Sequence, residues 1–387
     1  MIPYGRQDIS HEDIQAVVEV LESDFLTQGP AGPRFEKALC ELTGAKHALA
    51  TNNATAALHL ACRALGLGPG DTLWTTPNTF VASANCALYC GAKVDFIDID
   101  SATFNMSVEA LEQKLNQAEL EGRLPKIVVP VHLCGLSCDM ERIDQLAQKY
   151  GFSVIEDASH AIGARYQDQA VGDCRYSKIT IFSFHPVKII TTGEGGAAMT
   201  NCEELAGKME LLRSHGITRD PEQMTHSPDG PWYYQQVDLG YNYRMTDIQA
   251  ALGHSQLARL AEYVERRNTI ASAYDEELSS LPVSAQHRPP DCQSAMHLYV
   301  IRVSLQNTTR THAQVFALLR DAGIGCNLHY IPIHLQPYYR NMGFRSGDFP
   351  EAESYYAEAI SLPMFPTLTQ EQQHQVTKQL QRIWSPA

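Results

Sequence analysis

The chain has 387 residues, 44% hydrophobic and 19% charged, and carries a formal net charge of −14. That length suits two domains and a large core, and the acidic balance argues against nucleic acid or another polyanion as partner. No stretch approaches the ~18 apolar residues of a membrane span, and Met1-Ile-Pro-Tyr-Gly-Arg6 lacks a basic-then-apolar signal, so a cytoplasmic protein is expected.

In chain order, Ser10-His-Glu-Asp13 has the form of a capping box. It opens a helix with Ile14, Val17, Val18 and Leu21 on one apolar face. Short apolar runs then read as strands: His47–Thr51, Asp71–Thr76, Lys93–Asp98, Lys126–His132 and Ser153–Asp157. Helical periodicity separates them over 53–66, 79–90, 107–116 and 139–150, and Gly151 stands where a helix-ending glycine belongs. Two further runs follow, Lys178–Phe184 and Ala197–Thr200. Strand–helix alternation predicts an α/β fold, a mostly parallel sheet with helices on both faces and ligands beyond the strands' carboxyl ends.

The pattern lapses over about 217–240, a long polar loop of the kind that usually serves function. One long helix is predicted over about 256–280, and the domain boundary is placed at its start, giving domains 1–255 and 256–387. Strand-like His297–Val303 and helix-like 311–323 imply a smaller C-terminal α/β domain. The ten cysteines are dispersed, with no Cys-x-x-Cys, so reduced thiols and no metal site are expected.

Lys188 follows the buried-looking run that ends in Phe184-His-Pro, and it precedes the turn Thr191-Thr-Gly-Glu-Gly-Gly196. A lysine walled in by apolar residues loses solvation, which lowers its pKa and frees the amine for Schiff-base chemistry. Surface lysines also snorkel from such positions. Asp157 ends a strand, where a carboxylate suits a protonated pyridine nitrogen and suits a plain helix cap equally well. His160, three residues on, suits support of that ring or of Asp157, or a structural role. Asn53, Ala54 and Thr55 open a helix whose unpaired N–H groups form an anion site, although Asn53 or Thr55 also reads as a simple cap. Ser183 offers a further hydroxyl. Phe80, just past a strand, suits stacking on a flat ring or ordinary core packing.

These residues, in this order, resemble fold-type I pyridoxal-phosphate enzymes. More narrowly, the chain resembles the DegT/DnrJ/EryC1/StrS sugar aminotransferases over essentially its whole length. The likeness is carried by Leu26-Thr-Gln-Gly29, Thr75-Thr-Pro-Asn-Thr-Phe80, Glu156-Asp-Ala-Ser-His160, Phe182–Lys188, Thr191–Gly196, Arg213-Ser-His-Gly216 and Gly240–Ala250. The resemblance implies a seven-stranded sheet in a large domain with a smaller C-terminal α/β domain. It implies pyridoxal 5′-phosphate as cofactor, with Lys188 as its Schiff-base residue, Asp157 on the pyridine nitrogen, Phe80 stacked on the ring and His160 near it. Ala54, Thr55 and Ser183 would hold the phosphate. Asn242 would reach a neighbouring subunit's site, which implies a homodimer with shared active sites.

His185-Pro-Val-Lys188 before Thr-Thr-Gly-Glu-Gly-Gly is similar to members that aminate C4 of a nucleotide-linked 4-keto sugar. C3-aminating relatives more often show a Tyr-Pro-x-Lys-Asn-Leu-Gly type of stretch. The likeness is strongest to pseudaminic-acid pathway members, which implies UDP-2-acetamido-2,6-dideoxy-β-L-arabino-hex-4-ulose as acceptor and L-glutamate as donor. Tyr4, Asp24, Phe25, Leu26, Thr27, His185, Asn327, Leu328, His329 and Tyr330 would then contact the sugar nucleotide. UDP-4-keto-arabinose and dTDP-4-keto-6-deoxyhexoses are alternative acceptors. A lyase or desulfurase of the same fold would call for a cysteine in the 217–240 loop, which has none.

Overall fold

The computed structural model describes residues 1–307 and 310–384. Its centre is a seven-stranded sheet of β1 (His47–Thr51), β2 (Thr72–Thr75), β3 (Lys93–Phe96), β4 (Ile127–Val129), β5 (Ser153–Asp157), β6 (Ile179–Ser183) and β7 (Gly196–Thr200). The strand order is β1-β7-β6-β5-β4-β2-β3. Neighbours from β3 to β6 pair in parallel, while β7 runs antiparallel to both β6 and β1. All five residues of β6 and of β7 are buried, as expected of strands covered on both faces.

Helices cover the sheet: α1 (His11–Leu21), α2 (Ala31–Thr43), α3 (Ala54–Ala64), α4 (Ala82–Tyr89), α5 (Val108–Leu120), α6 (Met140–Tyr150) and α7 (Glu203–Arg213). Gly151 ends α6 with φ 79°, the left-handed turn expected of it. A separate three-stranded antiparallel sheet joins Val283–Ala285, Tyr299–Val303 and Ala359–Leu362. Its core includes Ile270, Tyr274, Val315, Leu319, Val376 and Leu380. Ile2 also packs there, so the two ends of the chain meet. None of the helices among the described residues is long and apolar enough to cross a membrane.

Three expectations need correction. The capping box at Ser10 and Asp13 is present, yet Ile14 and Leu21 are 53% and 55% exposed. The helix instead buries Asp13 and Val20 against α8 (Asp247–Leu257), because Ser255, Gln256 and Arg259 all bond the Asp13 carboxylate. The single helix over 256–280 is two, α8 and α9 (Leu260–Leu278). The break falls at Ala258-Arg259, where the Arg259 guanidinium turns to Asp8 and Asp13. The apolar period Leu257, Leu260, Val264 runs across the break, so periodicity alone does not reveal it. The loop over 217–240 contains a small hairpin, Ile217–Thr218 with Gln235–Gln236, and leaves Trp232 72% exposed.

Candidate active site

A cavity of about 1050 Å³ opens at the carboxyl edge of the large sheet. Its walls include Asn53, Ala54, Thr55, Ser83, Asp157, His160, Ser183 and Lys188. Strand ends deliver three of these groups. Asp157 closes β5, Ser183 closes β6, and Lys188 follows in the turn whose backbone Lys188 N donates to His185 O at 2.8 Å.

Asp157 is only 4% exposed and is held from both oxygens. Ser83 Oγ donates to Oδ2 at 2.6 Å, and the Ser159 N–H donates to Oδ1 at 3.1 Å. Thr79 Oγ1 stands 3.0 Å from Ser83 Oγ, extending the support. Ser83 lies outside every quoted motif, and Thr79 lies inside one without having been given a role. Ser83 lies 74 positions before its partner, so only the fold brings them together.

The Lys188 amine has no hydrogen bond or ion pair among the described residues, and burial pushes it down to about 8. The Asp157 carboxylate acts the other way, raising it. A half-buried lysine with this pKa can exchange protons near neutrality.

The start of α3 makes the anion site. Asn53 Oδ1 accepts from the Ala56 N–H at 2.8 Å, so the Asn53 side-chain oxygen is a helix cap. The N–H groups of Ala54 and Thr55 have no intrahelical acceptor. Gly196 pairs with Ser183 across β6 and β7, and a Cβ at Gly196 would stand 2.5 Å from Ala54 N. That glycine lets the sheet edge touch the helix start, so the Ser183 hydroxyl and the free N–H groups share one edge. The cradle suits a phosphate, and the buried carboxylate of Asp157 suits a protonated ring nitrogen. The residues present therefore fit pyridoxal phosphate.

The remaining expected residues divide. Tyr4, Phe80, His185, His329 and Tyr330 line the same cavity. Phe80 is 57% exposed, which rules out core packing. His160 does not bond Asp157. Its Nδ1 accepts from the Cys134 N–H at 3.3 Å, and its Nε2 lies 3.2 Å from Tyr330 Oη. Asn327 and Leu328 stand behind the wall, with Asn327 Nδ2 3.4 Å from His329 Nε2. Asp24, Phe25, Leu26 and Thr27 are exposed and off the cavity, because the start of α8 holds that segment through Asp247 N donating to Leu26 O at 3.0 Å. Asn242 is exposed and also off its own chain's cavity. Glu194, Gln249, His59, Tyr89 and Tyr243 also line the cavity. Glu194, Tyr243 and Gln249 fall inside quoted motifs without an assigned contact, whereas His59 and Tyr89 fall outside them.

With this geometry in place, comparison with known proteins is decisive. The model of the DegT/DnrJ/EryC1/StrS aminotransferase family matches residues 7–381. The chain belongs to this family. It is 39% identical over 370 residues to the UDP-4-amino-4,6-dideoxy-N-acetyl-beta-L-altrosamine transaminase of Campylobacter jejuni, covering 94% of this chain and 92% of that protein. Among solved structures, Helicobacter pylori PseC, an aminotransferase involved in the biosynthesis of pseudoaminic acid, superimposes with a TM-score of 0.90. It is 34% identical and covers 99% of both chains. The PLP-form of the Streptococcus pneumoniae sugar aminotransferase Spr1654 gives a TM-score of 0.88 at 30% identity, over 99% of this chain and 98% of that one. The chain is thus a pyridoxal-phosphate-dependent sugar aminotransferase.

Proposed function

We propose that the enzyme moves an amino group from L-glutamate to C4 of a UDP-linked 4-keto-6-deoxy sugar, UDP-2-acetamido-2,6-dideoxy-β-L-arabino-hex-4-ulose. One observation carries this reading. The Lys188–Asp157–Ser183 edge lies in the same cavity as Tyr4, His185, His329 and Tyr330, so the reacting amine faces a wall able to hold a sugar. The likeness to the C. jejuni transaminase supports the choice of sugar.

In this mechanism Ala54, Thr55 and Ser183 hold the cofactor phosphate, while Phe80 covers the ring. Asp157, held in place by Ser83 Oγ and the Ser159 N–H, would pair with the ring nitrogen and favour its protonated form. Bound pyridoxal phosphate supplies the electron sink that stabilises negative charge at the donor's Cα. Lys188 Nζ takes the proton from that Cα. In the second half-reaction it delivers a proton to the sugar C4. Asn242, exposed and off its own cavity, acts in the site of a second subunit, so the working unit is a homodimer in the cytoplasm.

The test is a panel. The purified enzyme is first given L-glutamate, and conversion of the cofactor to its amino form is followed by absorbance. UDP- and dTDP-4-keto sugars are then offered singly, and the products are identified by mass spectrometry and NMR. A 4-amino product from the UDP-2-acetamido sugar alone is the expected result. Preferred amination of UDP-4-keto-arabinose or a dTDP sugar would overturn the assigned acceptor, and inertness to glutamate would overturn the assigned donor.

A further inference from the structure

His160 is 6% exposed, and both of its ring nitrogens are committed. Nδ1 lies 3.3 Å from the Cys134 amide, a group that can only donate. An imidazole nitrogen that accepts a hydrogen bond carries no hydrogen, so the single hydrogen of the neutral ring sits on Nε2. Nε2 lies 3.2 Å from Tyr330 Oη. His160 therefore donates and the tyrosine oxygen accepts. The hydroxyl hydrogen of Tyr330 is left over, and Tyr330 lines the cavity.

The amide that sets this order is itself held in an unusual turn. Cys134 has φ 63°, and Gly135 follows with φ 97°. A Cβ at Gly135 would stand 2.9 Å from His160 O, 3.0 Å from Met296 N and 3.1 Å from His297 N. A non-glycine residue in the left-handed region next to a glycine that packs on the His160 backbone marks a constrained segment, of the kind that collects at functional sites. The His297 ring lies 4.3 Å from the His160 ring. The groups that act electrostatically on His160 are Lys188 and His329, and burial together with these two lowers its pKa well below the usual histidine range. His297 and Tyr330 also face it, and none of the four is a carboxylate. The ring stays neutral. Burial likewise raises the Tyr330 hydroxyl, which keeps its proton.

We propose that the Cys134 amide, His160 and Tyr330 form an ordered hydrogen-bond relay that makes Tyr330 an obligate donor into the cavity, where it holds the ketone oxygen of the sugar to be aminated. This rests on the acceptor being a keto sugar. A carbonyl oxygen only accepts, so a wall hydroxyl free to accept would gain nothing from it, whereas one fixed as a donor both orients and polarises it. A partner on one imidazole nitrogen that decides where the other carries its proton is the same device that fixes metal-bound histidines.

Two measurements test the relay. In the holoenzyme labelled with ¹⁵N-histidine, the His160 signals are assigned by their absence in H160Q. They should show a hydrogen on Nε2 and none on Nδ1, unchanged from pH 6 to 9. A hydrogen on Nδ1, or titration within that range, overturns the relay whatever the substrate. The second is Tyr330→Phe, which keeps the ring and removes the donor. It should slow amination of the keto sugar by about 10- to 100-fold while conversion of the cofactor by glutamate stays within about 2-fold. Equal slowing of both half-reactions, or no slowing, overturns the donor role. If wild-type enzyme converts its cofactor with glutamate but aminates no keto sugar, the donor role falls with the substrate reading. The ¹⁵N result would then still decide the proton order by itself.

Discussion

The floor of the cavity and its sugar-side wall are built differently. The floor comes from adjacent strand ends and the turns beyond them: Asp157, Ser183, Lys188 and the start of α3, all within residues 53–196. Its partners are short and buried, such as Ser83 to Asp157 at 2.6 Å. Apart from His185, which sits in the Lys188 turn, the wall comes from the two ends of the chain. Ile2 bridges Ile324, Met364 N donates to Tyr4 O at 2.9 Å, and Tyr355 Oη donates to His329 O at 2.7 Å. Tyr4 and His329 rings then meet at 5.4 Å. A rigid floor suits steps common to both substrates, whereas a wall assembled from distant segments can vary with the sugar. Floor variants should therefore damage both half-reactions, and wall variants the sugar half alone.

The largest effect is expected at Lys188. Lys188→Ala should cut both half-reactions by at least ~10⁴-fold and abolish the visible absorbance of the lysine-bound cofactor. Near wild-type turnover would remove Lys188 from the mechanism. Asp157→Asn comes next, at about 10²–10³-fold in both halves, measured by stopped-flow absorbance. A loss confined to the sugar half would break the division between floor and wall.

The floor was legible in sequence because it is local. β1 and β5 run over the predicted residues, His47–Thr51 and Ser153–Asp157, and strand ends announce the ligand edge. Lys188 was marked by its apolar surroundings, and the helix start by its cap residues. Ser83 was not legible, because nothing within a few residues of it demands a partner 74 positions away. The exposed face of α1 failed for a related reason: the buried side is set by the Asp13 network to α8, over 240 positions distant. The segment from Asp24 to Thr27 was expected to contact the sugar, yet its anchor at Asp247 holds it off its own chain's cavity.

Gly196→Ala tests whether the floor's phosphate cradle depends on close approach. The added Cβ would meet Ala54 N at 2.5 Å, and backbone cannot move aside cheaply. A cost of about 1–3 kcal/mol is expected, read as weaker cofactor binding and a smaller thermal stabilisation by added cofactor. Unchanged cofactor affinity would mean that the helix start is not the phosphate site.

A smaller effect follows from protonation. Burial holds the Lys188 amine at about 8, below its ordinary value. Only the neutral amine accepts a proton, so the glutamate half-reaction should rise with pH up to about 8 and level off above it. Below that point the rate should fall about tenfold per pH unit. A profile that is flat from pH 6 to 9 would show that Lys188 is not the group taking the Cα proton.

The smallest expected effect is the most discriminating. Asp247 is 2% exposed, and its oxygens accept from the Gly29 and Ala31 N–H groups at 3.1 and 3.2 Å. It therefore fixes the turn that follows Asp24–Thr27, while Gln249, two residues on, donates to Glu194 O at 2.7 Å beside the Lys188 turn. The first turn of α8 thus touches two regions, the 24–31 segment through Asp247 and the floor through Gln249. Asp247→Asn retains one acceptor oxygen and loses the charge, at a cost of about 1 kcal/mol. If the 24–31 segment serves sugar binding across the dimer, KM for the sugar should rise about 2- to 5-fold while the glutamate half-reaction stays the same. Gln249→Ala, a floor variant, should slow both half-reactions by loosening the turn after Lys188. If Asp247→Asn slowed the glutamate half as well, α8 would couple floor and wall into one unit, and the division between them would not hold.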